Sequence, residues 1–186
     1  AGRPEPDLAV GWEADATATE WTFTLREGVT FHDGKPFTAQ DVLYTARYVM
    51  NPELESPGAA VLQIVDLEQL RAPDERTVVF TLKQPHADFP LLLLHYSMYI
   101  IPDGIGDAIN TAGIGTGPYK LQQFNPEGTT IVVANDAYWD GTPGLAGIEM
   151  VGIADGEART SALLADQIDY NDIPPETAEL VRRNSN

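Results

Sequence analysis

The sequence contains no cysteine, which excludes a disulfide scaffold, a zinc ribbon and a thiolate nucleophile together. Cations are scarce. Eleven lysines and arginines stand against 28 acidic side chains, a formal charge of −17, and the lysines are only Lys35, Lys83 and Lys120. A surface this negative repels phosphate backbones, so no nucleic acid is expected as a partner, and anionic lipid headgroups are held off for the same reason. Long apolar runs are missing too. The longest, Phe89–Leu94 and Met98–Ile101, fall far short of the roughly 20 residues that span a bilayer. No basic segment followed by an apolar one opens the chain, so an export signal is expected to be removed or to lie outside this sequence.

What is present is a folded composition: 43% hydrophobic and 21% charged over 186 residues, too apolar for disorder and long enough for one substantial core or two small ones. The acids are dispersed rather than gathered in a tail, which describes a solvated acidic surface.

Local patterns resolve into elements. Trp21, Phe23 and Leu25 alternate with Thr22, Thr24 and Arg26, the period of a half-buried strand. Val29 and Phe31 continue that apolar face between the turns Glu27-Gly28 and Asp33-Gly34. Before them, Leu8, Ala9, Val10 and Trp12 form only an apolar cluster. Thr38 with Asp41 three residues on reads as a capping box. Val42, Ala46, Val49 and Met50 then recur at helical spacing up to Asn51-Pro52, where the proline ends the helix. Asp66–Ala72 and Thr77–Leu82 read as a hairpin around 73–76. Asp88 and Pro90 start a short helix whose Leu91–Leu94 run is apolar all round and therefore expected to be buried. Glycines at 104, 106, 113, 115 and 117 mark an irregular stretch and a subdomain boundary. Beyond it, Tyr119–Phe124 and Thr129–Ala134 predict a second hairpin, Ile148–Ile153 a strand, Glu157–Ala165 a helix, Ile168–Tyr170 a short strand and Pro175–Arg183 a last helix. Strands and helices alternate without segregation, so the fold class is mixed α/β.

Chemical motifs fail their context tests. His32, His86 and His95 share no ligand spacing, so a metal site is not expected. Gly113-Ile-Gly-Thr-Gly117 looks like a phosphate cradle, but Pro118 and a strand follow it instead of a helix N-terminus. Asp136, Asp140 and Gly141 lack the spacing of a calcium loop. No nucleophile elbow, H-E-x-x-H or S-x-x-K motif occurs, so neither an enzyme nor a cofactor is indicated. The segment His95–Ile101 admits two readings. Tyr96, Met98 and Ile100 alternate like a core strand, while stiff, amphipathic tyrosines also suit a binding wall; both hold if Ser97 and Tyr99 face a cleft.

Four segments in order resemble the extracellular solute-binding proteins of family 5, which serve peptide and nickel ABC importers. They are Leu8-Ala9 and Trp12-Glu13 with 21–37; Thr38–Val42; Gly115-Thr-Gly-Pro-Tyr119; and Asn135–Gly141 with Arg159 and Asp166–Asp169. One departure is Asp166-Gln167, at a turn where the family usually has glycine and glutamate. The resemblance implies a periplasmic-binding-protein-like lobe, incomplete here, with 1–112 as its peripheral subdomain, 113–186 as part of the hinge-proximal subdomain and the second lobe absent from this chain. It further implies capture of a small solute, with a di- or oligopeptide as the default ligand, and delivery to the membrane permease subunits of an ABC importer. A monomer is implied, periplasmic or extracellular, with lipid anchoring of a full-length protein as an open alternative. The ligand wall would comprise Tyr96, Ser97, Met98 and Tyr99 together with Thr116 and Gly117. The competing reading is a stand-alone acidic interaction domain without a small ligand.

The charge imbalance yields a first prediction. Between 0.01 and 0.1 M sodium chloride the screening length falls from about 30 to 10 Å, relieving self-repulsion. The melting temperature should rise over that range; a flat or falling trend in a thermal melt would show that the acids are already compensated.

Overall fold

The computed structural model describes residues 3–172. Two compact units emerge: Ala1–Gln122 with Val132–Gly147, and Gln123–Ile131 with Ile148–Asn186. The fold is mixed α/β, as the sequence predicts.

The first unit is organised by a four-stranded antiparallel sheet of β1 (Ala9–Ala14), β2 (Glu20–Leu25), β3 (Arg71–Asp74) and β4 (Thr77–Thr81) in the order β1-β2-β4-β3. In β2 the alternation works as read: Trp21, Phe23 and Leu25 are buried. Trp21 pairs with Phe80 and Phe23 with Val78 across the ladder, so two aromatic-rich rows share the inner face. Phe23 and Phe80 meet edge to face at 5.6 Å, and Phe89 closes on Phe80 at 5.3 Å. Each fully buried ring stabilises the fold by about 2 kcal/mol relative to exposure.

Helix α1 (Ala39–Val49) covers that face through Ala39, Leu43, Ala46 and Val49. It begins at Thr38 and ends at Met50, before Pro52, as predicted. The Asp41 carboxylate does more than cap. Fully buried, it accepts from the Thr38 N–H at 2.8 Å, the Thr38 hydroxyl at 3.0 Å, Lys35 Nζ at 3.0 Å and the Asp103 N–H at 2.8 Å. One turn later the Thr45 hydroxyl donates to the Asp41 carbonyl at 2.7 Å and accepts from the Ile101 N–H at 3.0 Å. Residues 101–103 are thereby fastened to the helix start.

Several expectations are corrected. The N-terminal apolar cluster is a strand, β1, with Trp12 opposite Phe23; Gly11 and a register shift hide its alternation. The first hairpin begins only at Arg71, because Asp66–Leu70 folds on itself, the Glu68 N–H bonding the Asp66 carboxylate at 3.1 Å. Pro73 lies in β3, not in the turn, which is Glu75-Arg76; on an outer strand its missing N–H costs little. Two short helices were unmarked by periodicity, α2 (Gly58–Leu62) and, after α3 (Phe89–Leu92), α4 (Ile109–Ala112). The Leu91–Leu94 run is not buried all round. A helix of one turn can press only one side to the core, and Leu94 is 64% exposed. Residues 95–101 are not a core strand: Tyr96–Met98 form a 3₁₀ turn capped by His95 Nδ1, which accepts from the Ser97 N–H at 3.2 Å.

The strands β5 (Tyr119–Gln123), β6 (Thr129–Ala134) and β7 (Gly147–Val151) form a second sheet in that order. In the second unit, α5 (Gly156–Leu164) starts at Asp155, whose carboxylate accepts from the Ala158 N–H at 2.8 Å, and Arg159 ties back to the Ile153 carbonyl at 2.7 Å. The helix ends in a Schellman motif. The Gln167 N–H reaches the Ala162 carbonyl at 2.9 Å and the Asp166 N–H reaches Leu163 at 3.2 Å, with Asp166 at φ +53°. Ile168–Tyr170 is not a strand; it has no partner strand among the described residues and Tyr170 is 81% exposed. The helix expected at Pro175–Arg183 lies outside the described residues.

Replacing Asp41 by alanine would leave the Thr38 and Asp103 N–H groups without an acceptor and Lys35 with only the Asp103 carbonyl, at 3.2 Å. Asp41→Ala should cost about 3 kcal/mol, measured by chemical denaturation; a loss below about 1 kcal/mol would show that the network is incidental.

Candidate functional site

An open cleft of about 560 Å³ on the first unit gathers polar main chain and aromatic side chains. Its size is that of small-ligand pockets, about 300–1,000 Å³. Tyr99, Thr116 and Gly117 line it together with His32, Tyr138 and Trp139. Three of the six residues expected at a ligand wall are therefore brought to one place. Met98 instead lines a separate apolar crevice of about 310 Å³ above Phe23 and Phe80, which Tyr99 also borders. Tyr96 and Ser97 line neither of these cavities. Tyr96 and Tyr99 are 65% and 80% exposed, while Ser97, Met98, Thr116 and Gly117 are half-buried.

The loop carrying Thr116 and Gly117 is held from two sides. On one, the His32 N–H donates to the Gly115 carbonyl at 2.9 Å, and His32 Nδ1 accepts from the Gly115 N–H at 3.2 Å. With Nδ1 an acceptor, the proton sits on Nε2, which donates to the Gly117 carbonyl at 3.0 Å. On the other side, buried Asn135 donates through Nδ2 to that same Gly117 carbonyl at 3.0 Å and through its N–H to the Pro118 carbonyl at 2.8 Å. The loop leaves α4 through Gly113 at φ +56°, where a side chain would strike Leu121 at 2.6 Å, so glycine is needed there on both counts.

An aromatic pair, Tyr138 and Trp139, also lines the cleft. Arg26 stacks over the Trp139 ring at 4.2 Å and donates through Nε to the Asp7 carbonyl at 2.9 Å. This cation–π contact fixes the indole. Burial, with the nearby carboxylates of Asp140 and Asp7, pushes the Tyr138 phenol above its ordinary pKa, so it stays protonated and able to donate in neutral solution.

The arrangement is suited to recognition. Thr116 N–H, C=O and hydroxyl and the Gly117 N–H have no hydrogen-bond partner among the described residues, while every other carbonyl and amide of Gly115 and Gly117 is engaged. A half-buried, unpaired run of main-chain groups beside a tyrosine offers donors and an acceptor to a ligand. Among the described residues no cluster of three His, Asp or Glu side chains could hold a metal ion, and no helix is long and apolar enough to cross a membrane.

Sequence reading alone missed His32, Asn135, Tyr138 and Trp139 as contributors. His32 shares no ligand spacing with the other histidines, and 135–141 lacks the spacing of a calcium loop. Both segments belong to the motifs that carry the family resemblance, and that signal could have found them.

Comparison with known proteins decides the family. The family model for bacterial extracellular solute-binding proteins, family 5 Middle, matches residues 3–186. The chain belongs to this family. The di/tripeptide-binding protein 2 of Pseudomonas aeruginosa is 29% identical over 94% of this chain and 38% of its own length. The probable D,D-dipeptide-binding periplasmic protein DdpA of Escherichia coli is 31% identical over 92% of this chain and 34% of its own. Among solved structures, AgaA of A. tumefaciens R10, in complex with agropinic acid, superposes with a TM-score of 0.88 at 28% identity, covering 96% of this chain and 37% of that one. NikZ of Campylobacter jejuni, in complex with Ni(L-His), gives 0.87 at 23% identity over 98% and 37%. This family-5 chain therefore has the fold of a periplasmic-binding-protein lobe and spans under two fifths of the length of these relatives. The stand-alone acidic domain read from the charge finds no support among them.

The placement of the tyrosines depends on Gly58. A Cβ there would lie 2.7 Å from Val49 Cγ1 and 3.0 Å from Ser97 Cβ. Gly58→Ala should cost about 1–3 kcal/mol and shift the amide resonances of 96–99. An unchanged spectrum and stability would show that the 3₁₀ turn is not seated on α2.

Proposed function

We propose that this family-5 chain forms one wall of the ligand site of a solute-binding component of an ABC importer, acting outside the cytoplasmic membrane by binding and without chemistry. The ligand class is a di- or oligopeptide. The observation that carries the reading is the unpaired main chain of Thr116 and Gly117 lying in one cleft with Tyr99: peptide ligands present alternating N–H and C=O groups that such a run complements. Tyr138 and Trp139 supply apolar area in the same cleft, and Tyr96, Ser97 and Met98 flank the wall.

In this proposal residues 1–112 serve as the peripheral subdomain of a first lobe and 113–186 as part of its hinge-proximal subdomain. A second lobe in a longer protein closes over the ligand. The length of the relatives supports this, as does their naming as peptide-binding or periplasmic proteins. The permease subunits would engage that longer protein as a monomer.

One wall cannot bury the 70–90% of a ligand that a closed site buries. Losing half the interaction of a micromolar binder leaves a millimolar one, since −8.2 becomes about −4.1 kcal/mol. Titration of the labelled chain with di- and tripeptides should give millimolar, saturable shifts at Tyr99, Thr116 and Gly117. Micromolar binding, or saturation without shifts at these three residues, would overturn the reading.

A further inference from the structure

The segment Phe31-His-Asp-Gly34 brings His32 to the cleft and against the loop 115–117. The structure points to a task for its histidine. We propose that His32 is a positioning residue of the ligand wall, a two-sided latch that sets the peptide orientations of Gly115 to Gly117 and so decides which groups of Thr116 face the cleft. This rests on the reading of Thr116 and Gly117 as ligand contacts.

The loop 115–117 has three N–H groups and three carbonyls. His32 takes both groups of Gly115, the carbonyl through its own N–H at 2.9 Å and the N–H through Nδ1 at 3.2 Å. Its other ring nitrogen takes the Gly117 carbonyl at 3.0 Å, a site shared with Asn135 Nδ2 at 3.0 Å. With both glycines fixed, only the two amides of Thr116 and Gly117 and the carbonyl of Thr116 remain for a ligand. Glycines flank Thr116 and carry no Cβ to restrict their dihedrals, so without the latch either flanking peptide plane could flip. A flip would present a carbonyl where a donor now stands. The imidazole is suited to the task because its two nitrogens, rigidly spaced, act with opposite sense in the neutral ring. The ring reaches across 83 and 85 residues of sequence, which makes the loop geometry a property of the whole unit.

The two halves of the latch can be separated. Asparagine places an oxygen near the Nδ1 position and keeps the Gly115 contact; glutamine places an amide NH₂ near the Nε2 position and keeps the Gly117 contact. The ligand-free, isotope-labelled chain is the first arm. Nitrogen spectra of His32 should show an unprotonated Nδ1 and a protonated Nε2. His32→Asn should move the Gly117 and Pro118 resonances and spare the Gly115 amide, while His32→Gln should do the reverse. His32→Ala combined with Asn135→Ala should be non-additive at Gly117, because both side chains donate to one oxygen. The opposite tautomer, or variants that leave 115–117 unmoved while the fold persists, would overturn the latch. The second arm titrates a tripeptide. His32→Ala should weaken binding at Thr116 about fivefold, as expected for one hydrogen bond lost or misdirected, with partial recovery in His32→Asn or His32→Gln. Unchanged peptide affinity in His32→Ala would overturn the positioning role. Failure of the wild-type chain to bind peptide, with the first arm intact, would refute the ligand site while supporting the latch.

Discussion

A single buried carboxylate sets the frame on which the cleft is built. Asp41 begins α1, holds the ammonium of Lys35 and seizes the Asp103 N–H, so a helix start, a turn and a distant loop meet on two oxygen atoms. An ionised group with no exposure survives only where donors replace its lost water, and here four do so. Thr45 repeats the pattern one turn on by holding Ile101. Tyr99 leads directly into this pinned stretch. The aromatic edge of the cleft thus inherits its position from polar groups buried behind it.

The cleft also divides labour between backbone and side chain. Its recognition groups are main-chain atoms of a glycine-rich loop, which could adopt many conformations. The side chains that remove this freedom, His32 and Asn135, lie far apart in the sequence and converge on one carbonyl. Arg26 does the corresponding work for the indole of Trp139. Rigid side chains fix a pliable loop, and the entropy of ordering it is met in folding and not again at each binding event.

Elements whose pattern depends on one partner were legible in the sequence. The alternation in β2 and the start and stop of α1 depend on local chemistry and burial on one side, and the sequence pattern shows both. The segments misread are those whose conformation is decided from afar. Residues 95–101 alternate in hydropathy, but Tyr96–Met98 form a 3₁₀ turn capped by His95 and packed closely on Gly58, far back in the chain. Likewise β1 has poor alternation and is a strand because β2 lies beside it. The site was half legible for the same reason. Thr116 and Gly117 lie in a segment that carries the resemblance and Tyr99 in an aromatic stretch; His32 lies in such a segment too, but its hold on the loop spans 83 and 85 residues and is written in no local pattern.

The close of α5 has a different consequence. Asp166 occupies the left-handed turn of a Schellman motif, the position at which this family usually has glycine. A side chain with a Cβ is strained in that conformation by roughly 1 kcal/mol, and a carboxylate adds negative charge to the negative end of a helix dipole. The last turn of α5 is therefore held under two opposing loads that a glycine would remove. Its hydrogen bonds should be the first in the helix to yield their protons to solvent, making this acidic corner a built-in point of fraying, where the unusual charge of the sequence has been accommodated at the expense of local tenacity.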